Sequence, residues 1–322
     1  MCGNKITEKF IRLFRDFEKI SVQGGSLYLK SQLVFDRIVL LFNSYWGFEL
    51  KHKHILKYMS RYYTSDMDKI SPVESDSEYD NSVWFFWDDL SKINPLVERC
   101  IRQAKKYSGR NVILVSNDNV DKFVDIPEHI WKKYKKGLIS KAHYSDYVRT
   151  CIMEKYGGVY MDSTVLQVNQ FPDKWFDTKF FTVNVDGLPY SNSCVSRGKR
   201  SVFFFACKKH NPLMIESKKV LCNYWKCESK PVDYLLMDYA WELCYLKNNE
   251  IKSMLDAVPK SSLNYYTLLY NPDLLQSKST LESYKEFLKD LNVCFLKISA
   301  TGLKKIKKED NCLLDSIIKY EV

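Results

Sequence analysis

Two carboxylates and a guanidinium lie close together within residues 142–165. Asp146 and Arg149 are three residues apart, so in a helix they project from the same face. Gly157-Gly158 follows, which is typical of a helix end because glycine adopts backbone angles that other residues avoid. The short apolar run after the glycines predicts a strand that ends at Asp162. We therefore expect Asp146, Arg149 and Asp162 to meet at the carboxyl end of a strand, where open α/β sheets bind ligands.

These residue types suit a nucleoside diphosphate sugar. The planar guanidinium of Arg149 can bond two phosphate oxygens at once. The carboxylate of Asp146 suits ribose or hexose hydroxyls, and that of Asp162 can hold Mg²⁺ or Mn²⁺ through oxygen. For Asp146 and Arg149 alone, a salt bridge on a solvated helix face is the alternative interpretation. The glycine pair and Asp162 favour a binding crevice instead.

Strand and helix patterns alternate along the chain after about residue 80. Compact apolar runs predict strands at residues 83–87, 111–116, 159–161, 201–207 and 292–299. Helical patterns lie at residues 95–107, 139–155 and 234–246. Because such alternation is typical of parallel sheets covered by helices, we predict an α/β fold with a doubly wound, mostly parallel sheet.

The first eighty residues predict a separate helical region. Periodic apolar residues indicate helices at about residues 6–20, 27–42 and 54–63, and a polar, acidic segment at 66–82 predicts a linker. We accordingly divide the chain into an N-terminal helical region at 1–80 and a main domain at 81–322. The basic first helix has two interpretations, an amphipathic helix on an anionic membrane or a helix packed on the main domain, and we favour the second.

Composition restricts the partners and the compartment. The chain of 322 residues has 49 Lys and Arg against 39 Asp and Glu, a formal charge of +10. This balance suits phosphorylated small molecules or an anionic membrane surface. Nucleic acid is disfavoured because zinc-finger spacing and an aromatic-basic RNA signature are lacking. The ten cysteines form no Cys-x-x-Cys pair, and no apolar run suggests a signal peptide or membrane span, so we predict reduced thiols and a cytoplasmic protein.

A known signature resembles the central segment. The string Ser145-Asp146-x-x-Arg149, followed by Tyr-Gly-Gly-Val-Tyr-x-Asp162-Ser-Thr164, is similar to the signature of GT-A glycosyltransferases that carry a DXD motif. These include the capsular polysaccharide synthesis proteins, the mannosyltransferase-like sugar-binding DXD family and the glucosylating toxins. The Asp-Ser-Thr variant most resembles the capsular polysaccharide synthesis family. The likeness covers about residues 83–300, with weaker matches at Trp84, Trp87, Pro95, Cys100, Asn119, Asp233, Tyr234, Asp238 and residues 297–299.

The resemblance implies an activity and its partners. We expect a GT-A-like sheet and a hexosyltransferase that retains anomeric configuration. The donor would be a nucleoside diphosphate sugar, with UDP favoured, and the acceptor a glycan or lipid-linked glycan of a capsular or surface polysaccharide. Such work would take place in the cytoplasm, at the inner face of the membrane.

The resemblance also assigns roles to residues. Asp146 would bind ribose or donor-sugar hydroxyls, Arg149 the donor sugar or diphosphate, and Asp162 would be the first carboxylate of the DXD motif. We count these three as catalytic. The additional predicted substrate-binding residues are Trp87, Ser145, Tyr156, Gly158 and Lys297.

Two of these additional residues have alternatives. Trp87 would stack on the base, or it is a core tryptophan at a strand end. Lys297 would meet the diphosphate, although a strand lysine that extends its ammonium group to solvent is the favoured account.

Metal binding and acid-base chemistry are less specified. Asp162 and Thr164 would hold a divalent cation, Mn²⁺ or Mg²⁺, but a neutral hydroxyl is a poorer ligand than a carboxylate. Asp238 would reach the metal, or it is an ordinary exposed helix residue, which we favour. His143 would be a general base or, more typically for a lone helix histidine, structural.

Two other classes of function remain open. The first is a catalytically inactive sugar-nucleotide-binding protein of the same fold, which Thr164 invites. The second is a peripheral-membrane scaffold of a polysaccharide assembly complex. A phosphotransferase is disfavoured because the chain has no Gly-x-x-x-x-Gly-Lys-[Ser/Thr] loop.

Overall fold

The computed structural model describes residues 45–64, 77–177, 179–186, 191–299, 303 and 311–320. The helices predicted at 6–20 and 27–42 and most of the linker predicted at 66–82 lie outside the described residues. The fold is therefore built from the ranges above.

Seven short strands form two sheets in the described ranges. They are β1 (Val83–Phe86), β2 (Val112–Val115), β3 (Gly158–Met161), β4 (Val165–Gln167), β5 (Phe180–Thr182), β6 (Phe204–Cys207) and β7 (Phe295–Lys297). The larger sheet has the order β2-β1-β3-β6-β5, and β4 pairs with β7 in a two-stranded sheet.

The larger sheet is mostly parallel. β1 pairs in parallel with β2 and with β3, whereas β6 is antiparallel to both β3 and β5. β6 is thus the single reversed strand, and the other strands of this sheet run in one direction. This arrangement confirms the predicted α/β class.

Helices surround the sheets. The α-helices of the described residues are α1 (Tyr45–Met59), α2 (Pro95–Tyr107), α3 (Glu128–Lys135), α4 (Lys141–Tyr156), α5 (Lys174–Asp177), α6 (Pro212–Cys227), α7 (Leu236–Lys247), α8 (Asn249–Asp256), α9 (Thr267–Tyr270), α10 (Leu281–Leu291) and α11 (Leu313–Lys319). Short 3-10 helices lie at Ser60–Tyr62, Leu90–Lys92, Val120–Lys122, Ser191–Ser193, Leu263–Tyr266 and Pro272–Gln276.

Local sequence accounts for both ends of α4. The hydroxyl of Ser140 accepts a hydrogen bond from the main-chain N–H of His143 and caps the first turn. At the other end Gly157 has a φ of 63° and its N–H donates to the carbonyl of Met153. The positive φ is the reason that glycine stands there, as the sequence indicated.

Alternate residues of β1 belong to two separate hydrophobic clusters. Trp84 and Phe86 point to the cluster that contains α4, α6 and α7. Val83 and Phe85 point to the opposite cluster, which contains α2. The period of two along a strand divides the side chains between the faces in this way.

The position of the crevice follows from this double winding. The chain passes from β1 to β2 through α2 on one face of the sheet. It then returns through α4 on the other face to β3, so the direction of winding reverses between β1 and β3. In open α/β sheets ligands bind at such a reversal, beyond the carboxyl ends of the strands.

The described part of the N-terminal region packs on this same core. Ile55 and Tyr58 of α1 are fully buried in the cluster that contains Trp84. Lys51 of α1 forms an ion pair of 2.6 Å with Asp233, just before α7. The helix predicted at 54–63 begins earlier, at Tyr45, and the domain boundary near residue 80 stays a prediction.

Within the described ranges, every helix is too short or too polar to form a membrane span. The nine cysteines in these ranges are free thiols, and most are buried. The buried ones act as small apolar side chains of the core.

Candidate functional site

Asp146, Arg149 and Asp162 lie together at the carboxyl end of β3. Arg149 Nη2 lies 3.2 Å from Asp146 Oδ1, and Arg149 Nη1 lies 3.2 Å from Asp162 Oδ1. The arginine is only 6% exposed. One buried guanidinium therefore bridges a carboxylate of its own helix and a carboxylate that follows the neighbouring strand.

Further contacts fix the orientation of Arg149. Its Nη1 donates to the carbonyl of Val202 over 2.8 Å, and its Nη2 donates to the hydroxyl of Ser145 over 3.3 Å. The guanidinium carbon lies 4.4 Å from the ring centre of Tyr160. Such a set of partners holds the planar group in one geometry before a ligand arrives.

The charge of Arg149 is secure. Burial alone would lower its pKa, but Tyr160, Asp162 and Asp146 outweigh that effect and raise the pKa above its ordinary value. The guanidinium is therefore a permanent cation in the crevice.

Lys297 adds a second cation from the smaller sheet. β7 is antiparallel to β4 with Lys297 opposite Val165, so the lysine lies beside the turn that follows Asp162. Its Nζ lies 2.7 Å from Asp162 Oδ2 and donates to Thr164 Oγ1 over 3.0 Å. The lysine side chain is 11% exposed, so the favoured interpretation of a lysine that reaches solvent is wrong.

The two carboxylates respond differently to this environment. Burial raises the pKa of Asp162, but Lys297 and Arg149 together outweigh it and hold the pKa below its ordinary value. For Asp146 burial dominates and raises the pKa, with Arg149 opposing it. Asp162 is thus the more firmly ionised of the two.

Asp238, in the first turn of α7, belongs to the same electrostatic group. It is 9% exposed, and burial, then Asp146 and Asp233, raise its pKa to about 7. Its charge also contributes to the raised pKa of Arg149. The favoured interpretation of an exposed helix residue is therefore wrong, because α7 packs this face toward the crevice.

Tyr234, just before α7, is a further residue of the site; it was one of the weaker matches to the known signature, but the sequence assigned it no role. The residue is 74% exposed, yet the charges of Asp146, Asp162 and Arg149 act on its hydroxyl. The protein atoms around the hydroxyl, then the carboxylates of Asp146 and Asp162, raise the pKa of Tyr234, and Arg149 opposes them.

His143 positions this tyrosine. His143 Nε2 donates to the carbonyl of Tyr234 over 3.2 Å, and its Nδ1 lies 2.7 Å from the hydroxyl of Ser140. The rings of His143 and Tyr234 pack edge to face, with centroids 6.0 Å apart. Because both ring nitrogens are engaged, the contacts favour the structural interpretation of His143.

The other predicted residues divide between the crevice edge and the core. Trp87 follows the carboxyl end of β1 and packs, partly buried, against the hydrophobic cluster that contains α2, which agrees with the alternative of a core tryptophan. Its Nε1 has no acceptor among the described residues. Tyr156 instead donates its hydroxyl to the carbonyl of Phe123 and stacks on Trp84 in the core.

Gly158 has a steric role. A Cβ at this position would lie 2.1 Å from the carbonyl oxygen of Ser82, and φ is 94°. The close approach of the two backbones therefore requires glycine. The contacts of Tyr156 and Gly158 are those of packing, and their assignment to substrate stays a prediction.

The donor set suits a divalent cation poorly. Asp162 supplies a carboxylate whose two oxygens already contact Arg149 and Lys297, and Thr164 supplies a neutral hydroxyl that accepts from Lys297. Among the described residues, no three His, Cys, Asp or Glu side chains form a metal-binding group. Divalent cations in proteins prefer several oxygen ligands of negative charge, so the predicted Mn²⁺ or Mg²⁺ does not fit this arrangement.

Among the comparisons with known proteins, one family model matches most of the chain. Residues 43–312 match the family described as capsular polysaccharide synthesis protein. An uncharacterized protein of Arabidopsis thaliana is 29% identical over 116 residues, an alignment that covers 34% of this chain and 18% of that protein. The chain thus spans less than a fifth of that relative. The structure of the PaToxG glycosyltransferase aligns over 86% of this chain and 96% of that one, with 16% identity. The TM-score of this alignment is 0.39, which is too low to support a shared function.

Proposed function

Since the chain belongs to the capsular polysaccharide synthesis protein family, we propose that it is a glycosyltransferase that uses a nucleoside diphosphate sugar. The membership confirms the predicted resemblance to this family. The activity itself, the donor and the acceptor are our proposal. The family description favours a glycan acceptor of a capsular or surface polysaccharide, free or lipid-linked.

One observation carries the proposal. Two cations, Arg149 and Lys297, converge on Asp162 at the point where the winding of the sheet reverses. Asp146 contacts the same guanidinium from α4. A crevice with fixed cations beside carboxylates matches a ligand that carries both a diphosphate and sugar hydroxyls.

The chemistry follows from that match. The bond between the anomeric carbon and the diphosphate oxygen breaks, and negative charge grows on that oxygen. Cations held in place before the reaction stabilise this charge without reorganisation, which lowers the barrier. In this proposal Arg149 binds the diphosphate, while Asp146 accepts hydrogen bonds from hydroxyls of the sugar or ribose.

The acceptor step completes the balance. The acceptor hydroxyl oxygen forms the new bond to the anomeric carbon, and its proton passes to the departing diphosphate oxygen on the same face. This route gives a hexosyltransferase that retains configuration. Trp87, at the carboxyl end of β1, would stack on the base, for which uracil is favoured. The anomeric configuration of the product, read by NMR, tests the retention.

Hydrolysis of a panel of UDP- and GDP-sugars tests the proposal. We expect the wild-type protein to hydrolyse at least one donor. Asp162→Ala should reduce the rate by about 100-fold or more, the usual cost of removing a residue that orients transition-state charge stabilisation. Thermal unfolding of the variant checks its fold, and Asp290→Ala on the exposed end of α10 is the matched control.

Two outcomes would contradict the transferase. A hydrolysis rate of the Asp162→Ala variant equal to that of the wild-type protein would show that the crevice is not the site of reaction. Binding of a UDP-sugar by the wild-type protein without hydrolysis or transfer would favour the inactive sugar-nucleotide-binding protein. Thr164, which replaces a carboxylate of the DXD motif, is the feature that favours this second candidate.

A further inference from the structure

The ammonium group of Lys297 contacts both side chains that the sequence assigned to a metal. Nζ lies 2.7 Å from Asp162 Oδ2 and 3.0 Å from Thr164 Oγ1. These are the first and last residues of the Asp-Ser-Thr motif. The positive charge at this motif is thus a side chain of the protein.

The surroundings of Asp162 oppose an additional cation. Its Oδ1 contacts Arg149 and its Oδ2 contacts Lys297, so two positive charges already face one carboxylate. A divalent ion at the same carboxylate would lie within a few ångströms of both. At such distances in a partly buried site, the repulsion between like charges is strong because little solvent screens it.

Substitution at position 164 is consistent with this arrangement. A hydroxyl oxygen readily accepts a hydrogen bond from an ammonium group. At a metal site, by contrast, the same hydroxyl supplies no negative charge. The side chain of Thr164 is 8% exposed and its oxygen is directed to Lys297. Threonine is therefore suited to the lysine rather than to a divalent ion.

From these contacts we infer that Lys297, together with Arg149, replaces the divalent cation and that nucleotide-sugar binding and transfer proceed without a metal. The inference rests on the proposed function, because it assigns the charge that the diphosphate meets. An ammonium group has three N–H donors. Asp162 and Thr164 take two of them, which leaves the third for an oxygen of the diphosphate.

The fold holds the lysine in this position. β7 pairs with β4 so that Lys297 lies opposite Val165, immediately after the motif. The N–H of Ile298 donates to the carbonyl of Thr164 over 3.0 Å, which ties the two segments together beside the ammonium group. Nζ also lies 5.2 Å from the ring centre of Phe203. A preorganised cation of this kind loses little conformational freedom when a ligand binds.

Binding of UDP and UDP-sugars, followed by calorimetry, tests the inference together with donor hydrolysis. The wild-type protein is first dialysed against EDTA and then measured in metal-free buffer and with added Mn²⁺ or Mg²⁺. We expect the UDP affinity and the hydrolysis rate to agree within about twofold in all three conditions. Binding of Mn²⁺ alone, followed by electron paramagnetic resonance, should be undetectable at micromolar concentrations.

Variants of Lys297 separate its charge from its shape. Lys297→Ala should weaken UDP binding by about 10- to 100-fold, the usual effect of losing a charged hydrogen bond. Lys297→Arg should retain most of the affinity because it retains the charge. Lys289→Ala, an exposed lysine of α10, is the matched control, and thermal unfolding of each variant checks the fold.

A double variant is designed to bind a metal at the motif. In a Lys297→Ala and Thr164→Asp double variant, two carboxylates without the lysine should bind Mn²⁺ and make UDP affinity depend on it. Wild-type protein that binds UDP only with a divalent ion, or Lys297→Ala that binds UDP as tightly as wild type, would overturn the inference. Wild-type protein that binds neither UDP, GDP nor any sugar of the UDP and GDP panel in any condition would instead contradict the proposed function, and the inference would fall with it.

Discussion

At the scale of single residues, the crevice brings unlike charges together in near balance. Arg149 and Lys297 are the cations, and Asp146, Asp162 and Asp238 are the carboxyls. Asp162 is held ionised by both cations, whereas burial raises the pKa of Asp146 and of Asp238. The charge that a bound diphosphate meets is therefore set by the two cations and by how many of the carboxyls remain protonated.

Tyr234 is an exposed aromatic residue beside the charged side chains of the crevice. Its ring is exposed, its backbone is held by His143, and its hydroxyl lies in the field of the crevice charges. A ring so placed can pack on the sugar of the donor. Tyr234→Ala should weaken binding of a UDP-sugar by about three- to tenfold, in line with aromatic packing energies, and leave the affinity for UDP alone unchanged.

Two further variants make the Tyr234 experiment decisive. Tyr234→Phe keeps the ring and should bind the UDP-sugar within about twofold of wild type, as expected of a packing contact. Leu246→Ala removes an exposed apolar side chain from the far end of α7 and serves as the control. Equal losses for UDP and the UDP-sugar in Tyr234→Ala would show that the ring does not contact the sugar.

Residue spacing predicted part of this site and could not predict the rest. The sequence predicted that Asp146, Arg149 and Asp162 lie close together. The prediction used the three-residue separation of Asp146 and Arg149 and the strand before Asp162. Lys297 lies 135 residues from Asp162, and its contact depends on the pairing of β4 with β7, which no local pattern encodes. The burial of Asp238 likewise depends on how α7 packs.

At the scale of elements, the glycine pair links α4 to β3 and so places Asp162. Gly158→Ala should destabilise the protein by about 3 kcal/mol or more, because its φ is 94° and a Cβ would meet the backbone of Ser82. Gly109→Ala has a similar positive φ but open space around the Cβ, so it should cost only about 1 kcal/mol.

Chemical denaturation of the two glycine variants measures the difference. Both replace glycine by alanine in a left-handed conformation, so their comparison isolates the close approach of β3 to the segment before β1. Similar free energies of unfolding for the two variants would show that the backbones separate without cost. In that case the glycine pair would be needed for conformation alone.

Long periodic elements were predictable, and short ones were not. The helix predicted at 95–107 agrees with α2, because Pro95 and the cap from Asn94 mark its start. β4 and β5 have three residues each, too few for a period of two to be recognised. The strand predicted at 201–207 is shortened to β6 because its first residues form a turn. The carbonyls of this turn accept hydrogen bonds from the guanidinium of Arg149 and from the main-chain N–H of Asp162.

At the scale of the whole molecule, α1 connects the N-terminal region to one side of the crevice. This side, the wall, consists of α7 and residues 233–235 before it. His52 of α1 bonds Tyr239 of α7 over 2.7 Å, and Lys51 pairs with Asp233 just before that helix. α7 carries Asp238 inward and follows directly on Tyr234. The position of this wall therefore depends on contacts from an element far away in sequence.

The same wall makes stability depend on pH. The pKa of Asp238 in the folded protein is about 7, against an ordinary value of 3.8. Between these values the folded protein holds a proton that the unfolded chain has released, so this carboxyl lowers stability as pH rises from about 4 to 7. Asp162 has a lowered pKa, so its contribution has the opposite sign and is lost only as pH falls below its ordinary value.

Asp238→Asn removes the penalty at high pH, because the neutral amide needs no proton. At pH 8 the variant should be more stable than wild type by on the order of 2 kcal/mol, and the difference should shrink toward pH 4. Denaturant unfolding of both proteins at several pH values measures this difference, in which the effects of Asp162 and Asp146 largely cancel. Asp290→Asn, on the exposed end of α10, should follow the wild-type profile. If the free energies of unfolding of wild type and Asp238→Asn change with pH in parallel, Asp238 ionises as an ordinary carboxyl. The charge of this residue in the crevice would then stay the same from pH 4 to 8.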